Sequence, residues 1–315
     1  MERYPIVSVI VLNYNGASLL PACLKTLQGQ NWPNLEVIVA DNGSQDSSEQ
    51  VAMQYGAVFH QMDKNYGFSF TNNQGAAIAD GEFLLFVNND MKFDSACVSG
   101  LMEIMLADDS IFAAHPLMLD WDGSTIQRHG YRLSKGAFFQ NTLLPGLKIR
   151  GFKEHVEVVY GNGGSLMVRR KMFDEIRGFD NTFFMDYEDI DLCWRAWLND
   201  WKSVYVPSAR LYHKGVGTTF NQHQELQPLR RFSGIKNYLR FVIKTMPFWI
   251  IGLVFFREAA RIMRNALIRK LPLSKIRFEA FATTVINFPD LLKARRETLG
   301  RAVTTSSVLI KKFLT

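Results

Sequence analysis

The stretch Phe183–Trp201, FFMDYEDIDLCWRAWLNDW, sets Asp186, Glu188, Asp189 and Asp191 within six residues, interleaved with apolar Ile190, Leu192, Cys193, Trp194 and Trp197. Ile190, Trp194 and Trp197 fall at i, i+4 and i+7 and so share one helical face. The carboxylates then lie in or just before the first turn of a helix, the end whose dipole favours negative charge. Alone, this pattern is also that of an acidic cap on an ordinary helix. A second group upstream changes its weight: the apolar run Glu82–Val87 stops at Asn88-Asn89-Asp90, placing another carboxylate at a strand end. An acid that takes a proton and an acid that holds a cation together suit group transfer.

The elements that must position these groups alternate regularly. Val7–Leu12 is a β-branched apolar run, as in a strand buried on both faces of a parallel sheet, and Asn13-Tyr14-Asn15-Gly16 ends it. Helical spacing follows over Ser18–Leu27. A second strand over Leu35–Ala40 closes at Asp41-Asn42-Gly43-Ser44, before a helix from about Asp46 to Gln54. Val58–Met62 reads as a weaker third strand, and Asn65-Tyr66-Gly67 turns into a helix over about Phe70–Ala79. Strand and helix alternating in this way predict an α/β fold with a mostly parallel sheet, whose ligands lie at the carboxyl ends of the strands. Neither GxGxxG nor GxxxxGK[ST] follows any strand, which argues against a dinucleotide site or a P-loop. The polar strand ends offer instead Asp41 for a base or ribose and Asp90 for a metal.

Further on, Phe93–Leu106 reads as a helix and Ile111–Met118 as a strand. The glycine-punctuated segment 120–159 reads as hairpins or a flap. Tyr160–Ser165 (YGNGGS) is either a ligand-facing backbone turn or a tight turn before the strand Leu166–Val168. Lys202–Val206 is a strand, followed by Leu211-Tyr212-His213; a lone His at such a place is more often structural than a ligand.

The net charge of +6 hides a division. Residues 1–229 carry 18 Lys/Arg and 26 Asp/Glu (−8), whereas residues 230–315 carry 18 against 4 (+14). The first part is expected to form one domain, with a half over about 1–92 and a half over about 93–229; the second is a basic helical region. Its longest charge-free run, Thr245–Phe256, is twelve residues, short of the roughly 20 needed to span a bilayer. From Arg257 onward cations alternate with aliphatics. Residues 230–280 thus read as an interfacial amphipathic surface for an anionic membrane, or as helices packed on the first domain with a solvated basic face. No nucleic-acid motif accompanies the charge. Three cysteines without CxxC indicate neither disulfides nor zinc. The N-terminal apolar run reads as a strand rather than a signal segment. A cytoplasmic protein, peripheral on the inner face of the membrane, is the expectation.

The blocks VSVIVLNYNG, VIVADNGSQDSS, NYGFSFTNNQGAAIADGEFLLFVNND, GGSLMVRRKMFDEIRGFD, FFMDYEDIDLCWRAW and VPSARLYH, in this order, resemble a family 2 glycosyltransferase of the GT-A fold, in its rhamnosyltransferase-like branch. The resemblance covers about Pro5–Thr219. It implies inverting transfer of a sugar from a nucleotide-diphosphate donor, dTDP-rhamnose or a UDP-hexose, to a hydroxyl of a lipid-linked or polysaccharide acceptor. Carried over by position, Leu12 and Tyr14 flank the nucleoside and Asp41 bonds the base, while Asn65, Gly67 and Asn73 face the nucleotide. Asn88-Asn89-Asp90 stands at the family's Asp-x-Asp motif, with Asp90 holding Mg²⁺ or Mn²⁺ against the diphosphate and His213 assisting. Asp189, beside Glu188, is the general base; Gly163 and Gly164 line the acceptor side, and Asp191 lies with the substrate-binding residues. The assignment among Asp189, Asp191 and Asp186 follows from the motif alone. The first Asp of the metal motif is Asn88 here, which removes one formal charge. A nucleotidyltransferase would need a phosphate-grasping loop after the first strand, and Asn13–Ser18 has no basic residue. A catalytically silent membrane-bound subunit of a polysaccharide assembly complex is a further alternative, favoured only by Asn88.

Overall fold

The computed structural model describes residues 4–128, 155–215 and 227–313. The first half alternates as the periodicity predicts: β1 (Val7–Asn13), α1 (Leu20–Gln28), β2 (Leu35–Asp41), α2 (Ser48–Gln54), β3 (Val58–Gln61), α3 (Phe68–Ile78) and β4 (Phe83–Asn88). Then come β5 (Met91–Phe93), α4 (Cys97–Ala107), β6 (Ile111–Asp120), β7 (Ile126–Arg128), β8 (Val156–Glu157), β9 (Ser165–Arg169), α5 (Arg170–Glu175), α6 (Glu188–Leu198) and β10 (Lys202–His213). The tail is helical: α7 (Gln227–Thr245), α8 (Phe248–Leu267), α9 (Leu271–Ile286), α10 (Phe288–Leu299) and α11 (Ser306–Phe313).

The ten strands of the described residues form one sheet with the main order β3-β2-β1-β4-β9-β6-β10-β5; β7 pairs with β6 and β8 with β10. β1, β2, β3 and β4 are parallel neighbours, as are β6 and β10, while β9 lies antiparallel between the two groups. Alternation along the strands serves a core on each face. In β1, Val7, Val9 and Val11 pack with α1, α2 and α4, whereas Ile10 faces α3 and α6.

Two local readings change. The helix expected from Phe93 begins only at Cys97, because Met91–Phe93 form β5, paired antiparallel with Leu211–His213. Three residues carry no period, and their partner lies far along the chain. Lys202–Val206 and Leu211–His213 belong to one strand, β10, with a register shift between Val206 and Arg210 where Pro207 cannot donate to the ladder. The segment read as hairpins or a flap lies mainly outside the described residues.

The spacing gave α6 a single apolar face, yet Ile190 through Leu198 are all buried. The tail covers the rest. Leu239, Phe241, Val242 and Ile243 of α7, with Leu309, Ile310 and Phe313 of α11, share one core with Trp194 and Trp197. Trp194 Nε1 donates to Ser306 Oγ (3.1 Å), and the Trp197 and Phe313 rings meet edge to face at 4.9 Å. α7 ends at Thr245 because Pro247 cannot continue it and caps α8 instead.

Candidate active site

Parallel pairing sets the ends of three strands level: Asn13 lies opposite Asp41, and Leu12 opposite Asn88. A buried polar ladder crosses those ends. Asn13 Nδ2 donates to Asp41 Oδ1 (2.7 Å), and Asn13 Oδ1 accepts from Asn89 Nδ2 (2.6 Å). Asp41, fully buried, also accepts from the Ser44 hydroxyl (2.6 Å) and backbone N–H (2.8 Å). Asn42 Nδ2 donates to Asn65 Oδ1 (2.8 Å), which also accepts from Gly67 N (3.0 Å). A Cβ on Gly16 would stand 2.0 Å from Asn89 Nδ2 and 2.2 Å from Asn13 Oδ1, so a larger residue there would displace the amides of the ladder. Leu12 and Tyr14 are half-buried on either side of Asn13.

Asn13 was read only as the end of a strand, yet it joins the three strand ends. The available signal was its type: an amide closing an apolar run, in a chain whose neighbouring strands also end in Asn or Asp. Gly67 has φ +85°, and a Cβ there would meet Phe184 O at 2.4 Å, so the loop before α3 packs directly on the segment leading to α6. Asn73 ties that segment down. Its Nδ2 donates to Phe179 O (2.8 Å) and its Oδ1 accepts from Phe179 N (3.0 Å).

The β5–β10 pairing brings His213 beside Asp90, with Nε2 and Oδ2 3.2 Å apart. Gln127 holds the other face of the imidazole, its Oε1 2.6 Å from His213 Nδ1. The Asp90 side chain is 2% exposed, and apart from the His213 imidazole neither oxygen has a hydrogen-bond partner among the described residues. A buried carboxylate with so few partners suits a cation. One carboxylate oxygen and one imidazole, completed by phosphate and water oxygens, fit Mg²⁺ or Mn²⁺. Among the described residues no group of three His, Cys, Asp or Glu could hold a metal by itself.

Across the cleft, the start of α6 is an unusual turn. Asp186 (φ 62°) and Tyr187 (φ 76°) are both left-handed, a conformation costing about 1–3 kcal/mol for each non-glycine residue. Asn237 of α7, fully buried, offsets that strain: its Nδ2 donates to Met185 O (2.7 Å) and Asp186 O (3.0 Å). No pattern in the sequence marked Asn237. The turn aims Asp189 at the glycine-rich segment, where Asp189 Oδ2 accepts from Gly163 N (3.1 Å). A Cβ on Gly164 would stand 2.6 Å from Asn88 Nδ2, and Asn88 N donates to Gly164 O (3.1 Å). Two glycines therefore fit between the end of β4 and the carboxylates of α6. Burial, and next the charge of Asp189, push the Glu188 carboxyl well above its usual range.

Asn88, Gly163, Gly164, Glu188 and Asp189 all line one cleft of about 1200 Å³, with α7, α8 and α9 forming its opposite wall. Asp186 lies at the same cleft, 3.7 Å from Arg230. Asp191 is not brought there. Two positions on from Asp189, it is turned by about 200° around the helix. Its fully buried carboxylate pairs with Arg195 Nε (2.8 Å) and Lys244 Nζ (2.7 Å), anchoring α7 rather than meeting a substrate.

A mostly parallel sheet with acids at its strand ends, an antiparallel insertion and a second acidic element over the cleft is the GT-A fold of nucleotide-sugar-dependent glycosyltransferases. The profile described as "Glycosyl transferase family 2" matches residues 8–177, more than half of the chain, and the protein belongs to that family. It is 26% identical over 240 residues to an N-acetylglucosaminyl-diphospho-decaprenol L-rhamnosyltransferase of Mycobacterium tuberculosis, covering 68% of this chain and 78% of that one. It is 27% identical over 225 residues to the rhamnosyltransferase WbbL of Escherichia coli K12, covering 66% and 83%. Among solved structures, GalNAc-T7 with UDP, GalNAc and Mn²⁺ superposes with a TM-score of 0.64 at 18% identity, over 89% of this chain and 55% of that one. The protein is thus a glycosyltransferase of the rhamnosyltransferase-like branch, a family whose typical mechanism is inverting. Among the described residues no helix is long and apolar enough to cross a membrane.

Proposed function

We propose that the protein transfers a sugar, rhamnose from dTDP-rhamnose or a hexose from a UDP-sugar, to a hydroxyl of a lipid-linked glycan at a membrane surface. The observation that carries this reading is the single cleft in which Asp189, held by Gly163, shares the lining with Asn88 at the end of β4. In this reading donor and acceptor meet where these two elements face each other.

In this reading the nucleotide lies over the ends of β1 and β2, between Leu12 and Tyr14, with Asp41 keeping the ladder beneath it rigid. Asp90 and His213 would hold Mg²⁺ or Mn²⁺, which would supply positive charge for the departing diphosphate. Asp189 takes the proton from the acceptor hydroxyl as that oxygen attacks the anomeric carbon from the face opposite the leaving group. A base so placed contributes about 10²–10⁴-fold. Burial and the neighbouring charge raise the Glu188 carboxyl, which disfavours a second anion beside Asp189.

The membrane part rests on the outer face of α8. Trp249, Leu253, Phe256, Met263 and Leu267 recur at helical spacing and are exposed, Leu267 to 82%. Phe278, Val285 and Ile286 of α9 are exposed as well. Apolar side chains set among cations suit the headgroup boundary of an anionic bilayer. The relatives' substrates agree: one acts, by its name, on a diphospho-decaprenol.

Nucleotide release, measured with Mn²⁺ or Mg²⁺ over UDP-, dTDP- and GDP-sugars, tests the donor half without an acceptor. Metal-dependent release from one donor, lost in Asp90→Ala, is the expected result. Nucleotide binding with no release even when lipid-linked acceptors are supplied would favour a silent assembly subunit instead.

A further inference from the structure

One wall of the cleft is not used by the chemistry above. Arg257 and Arg261 of α8, Lys270 at the head of α9 and Arg277 of α9 line it, with Asn88, Gly163 and the Glu188–Asp189 pair lining the rest. Glu258, 2% exposed, pairs with both Arg261 (3.4 Å) and Arg277. A buried carboxylate shared by two guanidiniums fixes where they stand. The wall so gathers Arg257, Arg261, Lys270 and Arg277 about one buried carboxylate, facing the acids Asp186, Glu188 and Asp189 across the cleft. Cations gathered around a concave space favour an anion of more than one charge there. Guanidinium forks suit phosphate oxygens in particular.

Position supports the same ligand. The outer faces of α8 and α9 carry the exposed apolar stripes, while their inner faces carry these cations. A lipid tail lying along the outside would bring its headgroup over this wall, with the sugar beyond it toward Asp189. We propose that the basic wall of α8 and α9 is a subsite for the diphosphate linking an acceptor sugar to its lipid carrier, separate from the place of the donor diphosphate at Asp90. This rests on reading the cleft as the acceptor site.

The test is a calorimetric titration of the full chain with farnesyl diphosphate, with UDP, dTDP and Mn²⁺ in excess to occupy the donor place. Wild type should bind. Arg257→Gln with Arg261→Gln should weaken binding by roughly tenfold to a hundredfold per arginine lost. Arg264→Gln with Arg269→Gln, the same charge change outside the cleft, should leave it unaltered. Arg261→Gln alone, at an exposed position, guards against misfolding of the double variant and should show a loss of its own. Phosphatidylglycerol vesicles distinguish a general anionic surface, on which both double variants should lose comparably. Three outcomes would overturn the subsite: equal losses of farnesyl diphosphate binding in both doubles, no loss in either, or competition by the nucleotides. Nucleotide binding on the same samples separates the two ideas. Its absence would undo the donor reading, while the arginine comparison decides the subsite by itself.

Discussion

The strand ends and the start of α6 are built on different physics. On the strand-end side, parallel register sets Asn13 level with Asp41, and Ser44 and Asn89 in the turns just beyond are joined to them by short hydrogen bonds. On the α6 side, Glu188 and Asp189 follow a strained turn braced from α7 by Asn237, and their helix is tied to α7 through Lys244. The first side is rigid because its sheet is rigid. The second depends on contacts made some fifty residues downstream, so substitutions in the tail should reach catalysis without touching a substrate.

Asp189→Asn should give the largest effect, lowering kcat by about 10²–10⁴-fold with nucleotide affinity unchanged. Single-turnover kinetics and calorimetry on one preparation would show this. If nucleotide binding fell as far as turnover, the two sides could not be treated as separate.

Lys244→Met should come next. Lys244 Nζ is 2.6 Å from Asp180 and 2.7 Å from Asp191, and removing it leaves buried carboxylates short of a partner, at about 3–5 kcal/mol. Urea midpoints would read the loss. Burial pushes the Asp180 carboxyl up, but the charges of Lys244 and Arg240 outweigh it and hold the group well below its usual range. Its contribution is therefore present above the unfolded value of 3.8 and lost on acidification, and this acid-labile part should shrink in the variant.

Asn237→Ala sharpens the comparison at lower amplitude. Loss of the two bonds to Met185 O and Asp186 O should cost about 1–3 kcal/mol and lower kcat, while the KM for the donor stays put. A change confined to donor KM would contradict the bracing role.

The smallest effect is a pH slope. The folded pKa of Glu188 lies well above its unfolded value of 4.5, so the folded chain retains a proton that the unfolded chain has released. Stability from this group is full below the unfolded value and falls as pH rises toward the folded one. Gln at 188 cannot ionise, so the stability of Glu188→Gln relative to wild type should rise as pH climbs above the unfolded value of 4.5. Denaturant midpoints across that range would detect it, and a flat difference would contradict the burial of the charge.

Much of the strand-end side was legible from residue order. Apolar β-branched runs ending in Asn13, Asp41 and Asn88 specify parallel strands and place polar groups at their carboxyl ends, because strand period and strand termination are local properties. The acidic start of α6 was legible for the same reason. What the three-dimensional arrangement alone decided lies at long range. Met91–Phe93 became a strand only by pairing with Leu211–His213, and that pairing set His213 beside Asp90. Asp191, indistinguishable by type from Asp189, was turned by helical geometry to a buried ion pair. The basic tail, whose sequence left open a membrane surface or helices packed on the rest of the chain, became one wall of the cleft, because which face of an amphipathic helix meets a protein and which meets its surroundings is settled by packing, not by period.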